Sequence, residues 1–311
     1  MRVLITGGAG FIGSHLADRL LARGDDVLVI DNLATGRVDN LADNANLRFI
    51  EGTIADAVLV DEAVAAFQPE HVVHAAASYK DPDNWIEDTR TNVQGTINVI
   101  QAARKSGIKR LIYFQTALCY GGQPLEQPIT LDHPIRPESS YAISKTAGEQ
   151  YIAMSGIEFL SFRLANAYGP RNVSGPLPTF YQRLSSGKKC FVMNTRRDFI
   201  YVDDLIDVVE RALDGSGSSG FYHISSGSDF AIQELYDETT RAMGLENLEP
   251  VEVRERAPDD VFSILLDPTR TNEAFSWTAS TSLRDGVERT VASYAPYGIS
   301  ETYTHLKIAS E

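Results

Sequence analysis

The opening segment, MRVLITGGAGFIGSHLADRLLARGDDVLVID, constrains the fold more than any other part of the chain. A short β-branched run from Arg2 to Thr6 meets glycines at Gly7, Gly10 and Gly13. Helically spaced Phe11, Ile12, Leu16, Leu20 and Leu21 follow, and Val27 to Ile30 is again apolar. This order predicts a strand, a tight turn, a helix and a second strand parallel to the first. The alternation continues with a strand at Leu47 to Ile50, a helix near Ala57 to Phe67, a strand at His71 to His74 and a long helix around Trp85 to Lys105. A strand at Arg110 to Phe114, a helix around Ser140 to Met154 and a strand at Glu158 to Arg163 complete it. Nearly continuous apolar strands alternating with helices predict an α/β fold, a Rossmann-type doubly wound parallel sheet covered on both faces.

From Asn166 onward prolines and glycines become frequent, and DGSGSSG at Asp214 to Gly220 reads as a surface turn. A boundary near residue 165 divides a dinucleotide-binding domain, residues 1–165, from a smaller substrate-binding domain, residues 166–311, with residues 197–213 returning to the first. The formal net charge of −14 argues against nucleic-acid and anionic-membrane partners, because the long-range field repels polyanions. The two cysteines, Cys119 and Cys190, have no CxxC spacing and no neighbouring histidine cluster, so no disulfide framework and no metal site is expected. No apolar run approaches the ~20 residues of a membrane span, and the sequence passes from Met1 into a strand, which fits a soluble cytoplasmic protein.

The glycines of ITGGAGFIGSH are spaced GxxGxxG, between a strand and a helix. That position lets the backbone approach a pyrophosphate at the helix N-terminus. A glycine-rich turn alone is equally an ordinary loop. Here Asp31 ends the next strand, where a carboxylate can accept both hydroxyls of an adenosine ribose and repel a 2′-phosphate, so NAD is favoured over NADP. Arg37 is a nearby cation that keeps the second cofactor open. Further on, Tyr141 and Lys145 in YAISK are four apart in a helical stretch and share one face. A phenol titrating near about 10 is a poor base at neutral pH, and an adjacent ammonium lowers that value.

The set of GxxGxxG, Asp31, Thr116 at a strand end and YxxxK, in this order, resembles the extended branch of the short-chain dehydrogenase/reductase superfamily, the NAD-dependent sugar-nucleotide epimerases and dehydratases. HAAAS at His74 to Ser78, TNVQGT at Thr91 to Thr96, RLANAYGPR at Arg163 to Arg171 and RRDFIYVDDL at Arg196 to Leu205 agree with it. The resemblance implies that Thr116 hydrogen-bonds the sugar oxygen, that Tyr141 is the general base and that Lys145 is its partner. It implies cofactor contacts from Gly7, Gly10, Phe11, Ile12, Gly13, Asp31, Asn32, Ala75, Ala76, Asn92 and Lys145. For Asn92 a structural hydrogen bond is the plainer alternative. On the substrate side it implies Asn166 and Arg197 near a diphosphate and Phe191 against a nucleobase, though a lone aromatic reads equally as core, with Asp260 a candidate nucleotide ligand along with Arg254 and Arg256. Lys80 in SYKDPDNW, close to the expected mouth of the site, reads equally as a ligand of a substrate carboxylate and as a solvated loop residue. A homodimer is expected on the same ground. Thr53 stands where the branch often has an acid.

Enzymes of this branch first oxidise the sugar and then diverge. A 4,6-dehydratase uses an Asp-Glu pair directly after the threonine, whereas this chain has Ala117 and Leu118. An epimerase, which returns the hydride to the other face and needs no second acid, is therefore favoured, with C4 as the position. A dehydratase, a simple sugar dehydrogenase or reductase, and a non-catalytic cofactor sensor on the same fold are the alternatives. The second hydroxyl of the segment, Tyr120, reads as structural or substrate-contacting.

Overall fold

The computed structural model describes residues 1–246, 249–256, 261–299 and 301–303. Its strands are β1 (Arg2–Thr6), β2 (Asp26–Asp31), β3 (Leu47–Glu51), β4 (His71–His74), β5 (Arg110–Thr116), β6 (Phe159–Leu164), β7 (Asn166–Tyr168), β8 (Phe191–Met193), β9 (Arg196–Tyr201), β10 (Gly220–Ile224), β11 (Asp229–Ala231) and β12 (Glu252–Arg254). The helices are α1 (Phe11–Ala22), α2 (Ala57–Phe67), α3 (Trp85–Asp88), α4 (Thr96–Ser106), α5 (Ser140–Ala153), α6 (Pro176–Ser185), α7 (Val202–Leu213), α8 (Ile232–Ala242), α9 (Thr269–Phe275) and α10 (Leu283–Tyr297).

Seven strands form one sheet in the order β10-β6-β5-β4-β1-β2-β3, and every neighbouring pair runs parallel. Side-chain alternation along each strand feeds two apolar layers. Val3, Ile5, Val27, Val29, Val73 and Ile112 join one with residues of α1 and α7, while Leu4, Leu28, Ile30, Val72, Leu111 and Tyr113 join the other with α2 and α4. The seventh strand, β10, comes from Gly220–Ile224, well downstream of residue 165. Smaller sheets, β11-β9-β7 and β12-β8, build the remainder.

Strand order reverses between β1 and β4, the point at which an open α/β sheet leaves a crevice beyond its carboxyl ends. The turn after β1 and the loop after β4 approach closely there. A Cβ on Gly7, whose φ of +71° already favours glycine, would sit 2.7 Å from the Ala76 backbone, and one on Gly13 would sit 2.3 Å from the Gly7 carbonyl oxygen. The long helix expected from Trp85 to Lys105 is three pieces: α3, a π-helical stretch over Thr89–Gly95, and α4.

A buried polar network backs the sheet. Arg163 on β6 donates from Nη2 and Nε to the Glu149 carboxylate at 2.9 and 3.2 Å and from Nη1 to the Tyr120 hydroxyl at 2.7 Å. Tyr120 in turn meets His223 Nε2 at 2.5 Å, and Ser161 donates to Glu149 at 2.6 Å. Tyr120 is fixed here, 1% exposed, so of the two readings its sequence allowed the structural one stands. Glu149→Gln leaves the Arg163 guanidinium buried without its counter-charge and is expected to cost about 3–5 kcal/mol of unfolding free energy, measurable by urea denaturation; an unchanged midpoint would refute the pairing.

Candidate active site

A cleft of about 1040 Å³ opens along the carboxyl ends of β1, β2, β4, β5 and β6. Gly7, Gly10, Phe11, Ile12, Gly13, Asp31, Asn32, Ala75, Ala76, Lys80, Thr116, Tyr141, Lys145, Asn166 and Arg197 all line it, as do Ala117 and Leu118. Residues drawn from the whole length of the chain are thereby brought to one surface.

At one end α1 begins at Gly10 with no side-chain cap and no acid in its first turn. The first amides of a helix have no intrahelical acceptor, so those after Gly10 can donate to an anion. Asp31 accepts the Ala9 and Leu33 amides at 2.9 and 2.8 Å, and burial raises its carboxyl above the ordinary value despite those bonds. The absence of any Cβ space at Gly7 and Gly13, the uncapped helix start and the carboxylate at the end of β2 fit a dinucleotide whose pyrophosphate lies on the turn and whose ribose meets Asp31. Arg37, the cation that kept NADP open, is engaged elsewhere: it pairs with Asp39, donates to the Tyr297 carbonyl at 3.1 Å and stacks 4.3 Å from the Tyr297 ring. Thr53 also lines the cleft, its hydroxyl holding the Ala55 amide.

Thr116 ends β5, and its Oγ1 accepts the Leu118 amide at 3.2 Å, starting the short turn Ala117–Tyr120. An oxygen used as acceptor by the backbone keeps its proton free for donation into the cleft. Tyr141 and Lys145 lie in the first half of α5, which is capped by Ser139 and tied through Ser140 to the Asp88 carboxylate at 2.7 Å.

Three expectations are corrected. The Lys145 ammonium was expected to lower the Tyr141 phenol; instead burial raises that phenol, reinforced by Tyr79 and Asp88. Lys145 itself is 2% exposed and is pushed down from 10.5 to about 7 by burial, only partly offset by Glu149. Its Nζ lies over the Tyr113 ring, 4.0 Å from the centroid. Asn92 does not line the cleft: its amide accepts from the Ser78 N–H at 2.8 Å and donates to the Ser78 carbonyl and the Ser144 hydroxyl at 3.0 Å each. Phe191 does not line it either, because β8 turns its ring beneath the Arg254 guanidinium, 3.8 Å away. Asp260 lies outside the described residues.

Arg197 borders the cleft while its Nη1 donates to the carbonyls of Arg196, Val261 and Phe262. Among the cleft residues not singled out in the sequence are Tyr79 and Tyr303. Tyr79, which hydrogen-bonds Thr35, sits inside an otherwise recognisable motif. Tyr303 comes from the far end of the chain, where no local pattern marks it. Among the described residues no helix is long and apolar enough to cross a membrane, and no group of three or more metal-binding side chains is present.

A parallel sheet with a dinucleotide turn at its switch point and a Tyr-x-x-x-Lys helix facing the same crevice defines the short-chain dehydrogenase/reductase class. Residues 3–225 match the model of the NAD dependent epimerase/dehydratase family, and the chain belongs to that family. It is 33% identical over 308 residues to a UDP-glucose 4-epimerase of Mycolicibacterium smegmatis, covering 94% of this chain and 97% of that one. Among solved structures, the Bordetella bronchiseptica enzyme WbmH with NAD+ superposes with a TM-score of 0.93 at 56% identity, covering 96% and 99% of the two chains. The enzyme WbmG of the same organism, solved with NAD and UDP, gives 0.91 at 47% identity, covering 99% of both.

The depressed Lys145 links folding to pH. Between about 7 and 10.5 the unfolded chain holds this proton and the folded protein does not, so stability rises with pH across that window. Lys145→Met is expected to flatten the rise, seen as a smaller gain in urea midpoint from pH 7 to 9 than in the parent. An identical gain in both proteins would show that Lys145 is not the group responsible.

Proposed function

We propose that this protein is an NAD-dependent epimerase of a nucleotide-diphosphate sugar, acting at C4 of a UDP-hexose or UDP-hexuronate. One observation carries the choice of reaction. Thr116, Tyr141 and Lys145 share a cleft with the dinucleotide turn, while Ala117 and Leu118, which follow Thr116 into that cleft, offer no group that can transfer a proton. The carboxylates that line it among the described residues, Asp31, Asp81, Glu87 and Glu138, are all carried outside the turn that follows Thr116. An elimination step that needs an acid-base pair beside the ketone is poorly served, which disfavours a dehydratase. The similarity to a 4-epimerase across nearly the whole chain agrees.

Bound NAD supplies a hydride acceptor that can also return the hydride. The chain holds it through the amides after Gly10 and through Asp31, and orients the sugar against Thr116. The Thr116 hydroxyl donates to the sugar oxygen, and the Tyr141 oxygen removes the hydroxyl proton from it. Lys145, pushed down to about 7, sits on the same helix face, and where it is protonated its charge would add to whatever favours the phenolate. After the keto sugar turns over, Tyr141 gives the proton back and the C4 hydroxyl is restored with the opposite configuration. Asn166 and Arg197 supply the nucleotide side of the cleft, and the planar guanidinium suits a diphosphate.

The assembly is read as a cytoplasmic homodimer. Trp85 and Ile86 of α3, Ile143 and Tyr151 of α5 and Met154 at its C-terminal cap are large apolar side chains left 42–80% exposed where two helices pack together, a face suited to a second copy. Cys119 and Cys190 are free thiols, in keeping with a reducing compartment.

Incubation with UDP-hexoses and UDP-hexuronates without added cofactor, followed by NMR of the products, is expected to show catalytic formation of the C4 epimer. Stoichiometric NADH with a stable keto product would sink the epimerase reading. Tyr141→Phe is expected to retain NAD and to lose about 10²-fold or more in kcat; parent-like turnover would remove Tyr141 from its role.

A further inference from the structure

The cleft has two walls of different origin. One is the carboxyl edge of the large sheet, including the loop after β4 that carries Ser78, Tyr79 and Lys80. The other comes from the segment after β7, including Val173, Ser174 and Gly175. A strap formed by Glu301 to Tyr303 is sewn onto the second wall. The Tyr303 amide donates to the Val173 carbonyl and the Gly175 amide donates to the Tyr303 carbonyl, both at 2.9 Å, making a parallel bridge with Ser174. Thr302 adds a 3.2 Å bond to the Gln182 side chain on α6, and the Tyr303 hydroxyl donates to Glu301 at 3.1 Å.

From that anchorage the Tyr303 ring reaches the opposite wall. The Lys80 ammonium lies 4.5 Å from its centroid, and both side chains line the cleft. Among the described residues Lys80 makes no hydrogen bond and no ion pair, so the ring is what locates its charge. On the sheet side the backbone of this loop is held by Asn92 through both polar groups of Ser78. Loop and strap thus present one ammonium, with three donors, at a defined place on the cleft mouth.

We infer that Tyr303 is a specificity-determining, positioning residue of the sugar end of the cleft: its ring holds Lys80 where the ammonium meets an oxygen acceptor on the sugar. This rests on the nucleotide-sugar reading above. The acceptor is a hexose hydroxyl or a hexuronate carboxylate, two sources of one chemistry that binding can separate. A cation over an aromatic face is a weak contact, so the effect is one of affinity and selectivity.

The test uses the NAD-loaded full chain, with NAD content as the check on folding. Binding of UDP, a UDP-hexose and a UDP-hexuronate is measured by calorimetry, and KM and kcat by NMR-monitored turnover. Tyr303→Ala is expected to weaken both nucleotide sugars by about three- to tenfold, in Kd and KM, with kcat and the Kd of UDP within about twofold of the parent. Tyr303→Phe, which keeps the ring, should restore most of the loss. Lys80→Met should reproduce it, more strongly for the hexuronate if the acceptor is a carboxylate and equally if it is a hydroxyl, and the double variant should add nothing. Parent-like binding of nucleotide sugars by Tyr303→Ala, or equal weakening of UDP, overturns the inference. If no protein, parent included, epimerises any sugar, the function fails separately and the binding comparison still decides on Tyr303.

Discussion

The side-chain amide of Asn92 is the contact on which the two halves of the reacting end depend. It satisfies both backbone polar groups of Ser78 on the loop after β4 and reaches Ser144 on α5, one residue before Lys145. Ser144 donates in turn to the Tyr141 carbonyl at 2.9 Å. The amide is 1% exposed, so each of these bonds is made in a low-dielectric setting where an unmade one is expensive. It stands on a π-helical stretch, a local widening of the helix that re-aims side chains and recurs at functional sites.

The same dry surroundings set the proton chemistry. Tyr141 and Lys145 are each held toward the neutral form by burial, the phenol upward and the amine downward. His74, fully enclosed between the Thr6 and Thr96 hydroxyls at 2.7 and 2.8 Å, is pushed down to about 3 and contributes no charge at neutral pH. Glu149 is the acid that counteracts the desolvation of Lys145, yet it is also the counter-ion of Arg163. Tyr141 and Lys145 thus bring little charge of their own, and a cationic cofactor held in this cleft would favour deprotonation of the phenol.

Much of this was legible in the sequence. The β-branched runs, the glycines at Gly7, Gly10 and Gly13 and the carboxylate at Asp31 obey local rules, and the parallel sheet and its dinucleotide turn follow from them. Thr116, Tyr141 and Lys145 could be placed in one site because strand ends and helix faces dictate where such side chains go. The sequence could not rank competing partners. Helical spacing puts Lys145 on the face of Tyr141, but only packing shows the ammonium over Tyr113 and the phenol raised. Asn92 could equally have faced the cofactor, and Phe191 a base, since an amide or a ring has no intrinsic direction. Tyr303 was invisible because its contacts with Lys80 and Ser174 are with residues far away in the sequence, and the strap that carries it has no periodicity.

The contact between Gly7 and the Ala76 backbone joins two loops that lie far apart in the sequence and lie on the two sides of the reversal in strand order. Their lengths are therefore coupled. The Asp214 to Gly220 turn has its own tie, since Arg110 at the start of β5 donates to the Ser216 and Gly217 carbonyls, and it leads into β10 away from the crevice, whereas a residue added between β4 and Lys80 would shift the loop that packs on Gly7. The opposite wall is coupled to the same seat, because His15 of α1 meets the Pro170 carbonyl at 2.9 Å and Arg171 donates to the Ser14 hydroxyl at 3.1 Å, so the segment after β7 is constrained together with the helix that opens the dinucleotide turn.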